Sequence, residues 1–255
     1  MRRIPLAPLL VMLAGSLLLT PAAAKEEPDA TIKTPTIEAS VSVDPALKAY
    51  RGLYPHLLAA GKREMGKWQV DADKARQEIP QIFRDGRRYE FERHYKEESA
   101  IGPYISIVRT DFIDSLGAHP NTIINTLLWN TSARKFVSIR PFFTEAADNG
   151  PTMQALAAAV RAAVLAAKKA RHIPPEIIDN PMWLDGIKPS LLKIGAAALA
   201  PSTEHGKSAG LLFYFSPYDV APYVEGAYTV FVPWTVFKTH LSQDGAELFA
   251  GTRPQ

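Results

Sequence analysis

The sequence predicts an α+β fold, a mainly antiparallel sheet with helices packed on it, built as two consecutive subdomains. Three observations lead there. Strand patterns and helical patterns come in runs, without the regular strand–helix alternation that builds a parallel sheet. Pro151–Ala170 carries Met153, Leu156, Ala157, Val160, Val164 and Ala167 at spacings of three and four, the apolar stripe of an amphipathic helix. Leu211–Phe215 and Ala227–Val232 are two short β-favouring runs, with Tyr228, Val230 and Val232 alternating on one face. Between them Pro217, Pro222 and Gly226 rule out one continuous strand.

In chain order, residues 1–24 read as a secretory signal peptide. Arg2 and Arg3 form the basic start, Leu6–Leu19 the apolar stretch, and Ala22–Ala24 the small residues before a cut at Lys25. The apolar stretch is short of the ~20 residues a membrane span needs, so the mature chain is expected without a transmembrane anchor, periplasmic or secreted. Residues 25–35, polar and charged, read as a flexible leader. Thr36–Val43 alternates Ile37, Ala39, Val41 and Val43 with mostly polar neighbours and predicts a strand. From Asp44 to Phe83 the pattern turns helical, with Asp44 as N-cap and Pro45 at the first helical position. Leu57, Leu58, Met65, Trp68 and Val70 form its apolar stripe. Gly61 and Gly66 predict a break near there, and Asp71 or Asp73 a cap for a further helix to Phe83. Arg87–Glu97 reads as an exposed strand with Tyr89, Phe91 and Tyr95 on one face. Tyr104–Ile113 and Thr122–Trp129 follow as strands, and Phe136–Ile139 pairs back through the Asn130–Arg134 turn. Lys168, Lys169 and Arg171 suit the C-terminal dipole of the 151–170 helix and read as a solvated helix end. A short helix is expected over Trp234–Leu241. The subdomains divide at 36–145 and 146–255.

Composition narrows the function classes. The chain has 29 Lys and Arg against 26 Asp and Glu. Two of those arginines fall in the signal peptide, so the mature domain is near neutral and carries no basic stripe for nucleic acid. It contains no cysteine, so neither disulfides nor a lipid-bearing cysteine is available, and packing alone must hold it.

Two motifs carry a resemblance. The first is Ser115–Asn121, SLGAHPN, followed by the Asn130–Arg134 hairpin and an apolar run, Phe136–Phe143. The second is the series Phe213, Phe215, Pro217, Tyr218, Ala221, Pro222, Tyr223, Gly226, Val232 and Pro233. Together they resemble the extracytoplasmic domain shared by RsiV, a lysozyme-sensing anti-sigma factor, and the non-catalytic region of PdaC-type peptidoglycan deacetylases. The resemblance spans roughly residues 36–250, PdaC-like before residue 145 and RsiV-like after it. This chain departs from the pattern where Leu116 and Ala133 or Arg134 stand at positions usually held by glycine.

Catalytic chemistry is mostly withdrawn by context. Gly206–Gly210 matches G-x-S-x-G, but a nucleophile elbow needs a strand before its serine and a helix after it; here a polar loop enters a strand. The six histidines include no pair at the i,i+4 spacing of a helical zinc site. Glu97/Glu98 and Asp111/Asp114 read as solvated carboxylates. No catalytic residue, cofactor or metal is assigned. His119-Pro120-Asn121 is different in kind: Pro120 restrains His119, Gly117 permits a left-handed turn, and Asn121 can bond nearby backbone.

The resemblance implies an exported, non-enzymatic domain that binds a cell-envelope ligand, either a lysozyme-like protein or a peptidoglycan element. Tyr218, Asp219, Tyr223 and Glu225, with His119 and Asn121, are the candidate ligand-binding residues. Asp219 and Glu225 would steer a basic partner. The competing readings are an enzyme acting on envelope glycan, with His119 and Asp219 or Glu225 as acid and base, and a structural envelope protein. In the latter the tyrosines cap a sheet end and His119 locks its turn. Whether His119 and a carboxylate converge within hydrogen-bond reach separates the enzyme from the other two.

Overall fold

A computed structural model describes residues 27–178 and 181–254; the expected signal peptide lies outside them. Two sheets make an α+β molecule. The first has the order β1-β2-β3-β4-β5-β6, formed by Ala30–Lys33, Ile37–Val43, Tyr89–Ile101, Tyr104–Asp114, Asn121–Asn130 and Lys135–Val137. Its pairs are antiparallel except β2 with β3. That parallel pair exists because α1 (Pro45–Lys48) and α2 (Leu53–Glu78) carry the chain back across the sheet, a single βαβ crossover that the strand pattern did not suggest.

Ala30–Lys33 corrects the expected flexible leader. Ala30 and Ile32 point to the core while Thr31 and Lys33 point out, so four residues suffice for an edge strand on β2. Asp29 fastens its start, accepting from the Val43 amide and the Tyr54 hydroxyl and pairing with Lys48 at 2.7 Å.

Asp44 caps α1 as expected, its carboxylate accepting from Ala46 N at 2.9 Å, with Pro45 in the first turn. The helix break falls at Gly52, φ +83°, rather than at Gly61 or Gly66. Helix α2 runs unbroken through both, and Val70 lies on its exposed side. Gly61 is a packing residue: an added Cβ would stand 2.7 Å from the Val41 side chain, so glycine lets the helix lie close to β2. Asp71 and Asp73 cap no second helix; Asp73 instead accepts from the Thr36 hydroxyl. Strand β3 is central and half-buried, with Phe91 and Tyr95 under α2, so the expected exposed strand is corrected.

The second sheet is β7-β8-β9, formed by Ala196–Pro201, Ser208–Phe215 and Tyr228–Pro233, all antiparallel. Helix α3 (Pro151–Ala170) covers one face, its Met153, Leu156, Val160 and Val164 meeting Leu211, Phe213, Phe215, Tyr228 and Val230. The other face sets Ala198, Ala200, Leu212 and Tyr214 against Val108 and Ile124 of the first sheet. Strand β8 is therefore buried on both sides along its whole length. Strand β7, unexpected from an alanine-rich segment, is held at its outer edge by hydroxyls of the first sheet. Ser99 Oγ donates to Leu199 O, Leu199 N donates to Ser106 Oγ, and Thr126 Oγ donates to Ala197 O. Short helices follow at α4 (Pro175–Ile178), α5 (Pro181–Leu184) and α6 (Gln243–Leu248). The segment expected as one helix over 234–241 is two single 3₁₀ turns separated at Phe237. Among the described residues, no helix is long and apolar enough to cross a membrane.

Candidate functional site

The two motifs singled out in the sequence meet in space. The turn after β4 brings His119 to the corner between β8 and β9, where the His119 Nε2 stands 3.0 Å from the Tyr218 hydroxyl, 99 residues away in the chain. The imidazole stacks on Tyr223, centroids 4.1 Å apart and planes at 24°. Tyr218 and Tyr223 lie 5.6 Å apart, completing a three-ring cluster.

Local backbone chemistry explains how each ring is presented. In the first turn, Asp114 Oδ1 accepts from Leu116 N, and Leu116 takes φ +59°. Arg134, in the β5–β6 hairpin, takes φ +49°. Both left-handed turns are thus held by residues bulkier than glycine. His119 Nδ1 lies 2.9 Å from the Pro120 carbonyl. A carbonyl can only accept, so Nδ1 carries a proton, and in the neutral imidazole Nε2 accepts from the Tyr218 hydroxyl. Asn121 keeps its side chain local, its Oδ1 accepting from Thr122 N at the start of β5.

In the second turn, Asp219 N donates to Ser216 O and Asp219 Oδ2 accepts from Ser216 N at 2.6 Å. Pro217 and Tyr218 are the middle residues, and Tyr218 has φ +75°. That is the glycine position of a type II turn. Ser216 Oγ also accepts from Ile124 N, tying the corner to β5.

Beyond it the chain turns through a 3₁₀ turn, Tyr223–Glu225, ended by Gly226 at φ +71°. Three residues to a turn send their side chains about 120° apart. Tyr223 goes to His119, Val224 to solvent at 91 % exposure, and Glu225 inward. Only 5 % of the Glu225 side chain is exposed, and its Oε2 pairs with Lys168 Nζ at 2.9 Å and accepts from the Tyr228 hydroxyl. Burial, and then this bond to the carboxylate, push the Tyr228 phenol up to about 12.

These positions correct two expectations. Glu225 cannot steer a basic partner, because its charge is buried and paired. Lys168 does not belong to a solvated helix end; it is fully buried on the stripe that continues Val160 and Val164. The lysine at the next stripe position was the available signal. Asp219 and Tyr218 are exposed, Tyr218 by 48 %.

Of the cluster, Tyr218 also lines, with Asp219, a groove of about 800 Å³ between β5 and residues 186–197. Its lining mixes aliphatic side chains, Ile123, Ile139, Ile187 and Leu192, with polar ones, Asn125, Thr126, Ser138 and Lys193. Leu192 is 94 % exposed. Neither Asp219 nor Glu225 is hydrogen-bonded to His119, whose two nitrogens are taken by Tyr218 and Pro120. Ser208, centre of the G-x-S-x-G match, is buried at the start of β8, its one hydroxyl proton shared between the Ala200 and Gly210 carbonyls. Asp111 is held by Arg93 through bonds of 2.6 and 2.7 Å, buried rather than solvated. Among the described residues, no group of three or more His, Asp or Glu side chains is placed to hold a metal ion.

No curated protein matches the chain. Solved structures do. One is a DUF3298 family member from Bacteroides fragilis NCTC 9343, with 17% identity over 82% of this chain and 86% of that one, at a TM-score of 0.53. Another is a DUF3298 family protein from Pseudomonas aeruginosa PAO1, with 12% identity over 84% and 87% of the two chains, at a TM-score of 0.52. At such identities the likeness is one of fold. Residues 148–235, from α3 through β9 and including Lys168, Tyr218, Tyr223 and Glu225, match the family model described as a protein of unknown function, DUF3298.

Proposed function

We propose that this chain is an exported, non-enzymatic binding domain whose contact surface is the His119–Tyr218–Tyr223 cluster and the groove beside it. The observation that carries this reading is the convergence of two distant turns on one half-exposed aromatic cluster, with Tyr218 in a backbone position that disfavours any side chain. Strained, exposed aromatic residues beside a concave surface are the usual makings of a recognition site. The resemblance to the RsiV and PdaC extracytoplasmic domain, carried by these same turns, agrees with a cell-envelope ligand.

Of the two ligand classes, the exposed carboxylate of Asp219 favours a basic polypeptide, such as a lysozyme-like protein. The groove itself mixes aliphatic side chains with Asn125, Thr126, Ser138 and Lys193, so its lining suits either class. Asp219, exposed and on the groove lining, is the carboxylate left to favour a basic partner.

The test compares Tyr218→Ala and Tyr223→Ala with the parent for melting and for binding to lysozyme and to soluble peptidoglycan fragments. Loss of more than about tenfold in affinity for lysozyme, with folding retained, is expected for each. Full affinity in both variants alongside a lowered melting temperature would make the corner purely architectural.

A further inference from the structure

We propose that Lys168, Arg171 and Glu225 are positioning residues that set the aromatic cluster from beneath. The inference rests on the reading of that cluster as a contact surface but concerns how its geometry is held. Tyr223 reaches His119 from a turn only three residues long, and such a turn has little internal rigidity of its own. What fixes it lies on the other side. Glu225 Oε2 takes the Lys168 ammonium at 2.9 Å and the Tyr228 hydroxyl at 2.5 Å. Arg171, one turn further along α3, donates to the Glu225 and Ala227 carbonyls at 2.7 Å each and lies 3.7 Å over the Tyr228 ring. The end of one helix thus grips both flanks of the turn, by the side chain and by the backbone.

The type of bond matters as much as the number. A buried ion pair contributes little net stability, since desolvation of both charges offsets their attraction. It does impose direction: a carboxylate shared between an ammonium and a phenol has few orientations left. Glu225 Oε1 is buried without a partner, which is an arrangement suited to fixing an orientation more than to gaining stability. Because Tyr223 and Glu225 stand on the same turn, holding the carboxylate restrains the backbone from which the Tyr223 ring is presented to His119.

The experiment reads His119 directly and needs no ligand. The imidazole protons of His119 are followed by ¹H–¹³C correlation spectra in the parent chain and in the charge-neutral double variant Lys168→Met/Glu225→Gln. In the parent, the ring current of Tyr223 displaces these signals from the position of a free histidine. The double variant is expected to lose at least half of that displacement while keeping a cooperative melting transition. An unchanged His119 signal in a folded double variant overturns the proposal. Should that variant not fold, Arg171→Gln decides alone, because Arg171 lies at the surface. A partial loss of displacement supports the clamp, and an unmoved signal refutes it. Binding measured on the same variants separates the two ideas. A displaced His119 with full affinity defeats the contact-surface reading and leaves the clamp standing, whereas lost affinity with an unmoved His119 does the reverse.

Discussion

Tyr218 occupies a conformation that a residue with a Cβ enters at a cost of roughly 1–2 kcal/mol. Ordinary turn chemistry would place glycine there, so replacement by glycine separates backbone strain from ring contact. Tyr218→Gly and Tyr218→Ala both lose the bond to His119, but only the alanine variant retains the strain. The glycine variant should therefore melt about 2–4 °C above the alanine variant, a difference of about 1 kcal/mol in a domain of this size. Equal melting temperatures would show that the turn relaxes around the side chain. Leu116, Arg134 and His172 share the same backbone region, so with Tyr218 four turns among the described residues hold bulky side chains where glycine is the easy choice. This was only partly legible in the sequence. The departures at Leu116 and at Ala133 or Arg134 stood out, while Tyr218 after Pro217 gave no sign of its left-handed backbone.

At the level of elements, the sequence was most informative where one physical requirement dominated. Helix α3 and strands β8 and β9 answer to burial alone, and their periodicity shows it. It was least informative where two requirements competed. Gly61 looks like a helix interruption because glycine disfavours helices by about 1 kcal/mol, yet the close approach of Val41 demands it. Gly61→Ala tests which effect wins. Helix propensity alone would raise stability, whereas the contact at 2.7 Å predicts a lower melting temperature, restored when Val41→Ala makes room. Lys168 misled for a related reason, since a cation near a helix end has a ready electrostatic explanation that needs no burial. The meeting of His119 with Tyr218 and Tyr223 could not be read from spacing at all. It depends on how one sheet lies on the other.

For the whole molecule, buried phenols set an alkaline limit. Tyr228 is pushed up to about 12 by burial and its bond to Glu225, and Tyr50 likewise by burial and Glu97. Both have an ordinary value of 10.0. A phenol raised in the folded state contributes stability that is fully present below its unfolded value and is lost as pH climbs through the folded one. Melting temperatures should therefore hold steady through neutral pH and fall between about pH 10 and 12. Tyr228→Phe, which cannot ionise, should start lower at pH 8 for want of its bond to Glu225 but decline less over that window. Parallel slopes for the two proteins would remove Tyr228 as a source of the limit.

Strand β7 is spelled in residues that prefer helices, and much of what keeps it extended comes from hydroxyls that other strands donate or offer: Ser99, Ser106 and Thr126. The first sheet is thus a template, complete in the nascent chain before the segment it shapes has been made. Folding acquires an order, and the C-terminal half inherits a dependence that its own core does not reveal. A fragment of residues 146–255 should be non-native by itself, with far-ultraviolet circular dichroism showing excess helix. Adding a separately prepared fragment of residues 27–145 should restore the strand signal. In a chain without cysteine, that dependence does the work of a cross-link: the early half instructs the late half, and neither half need be covalently fastened to the other except through the backbone they share.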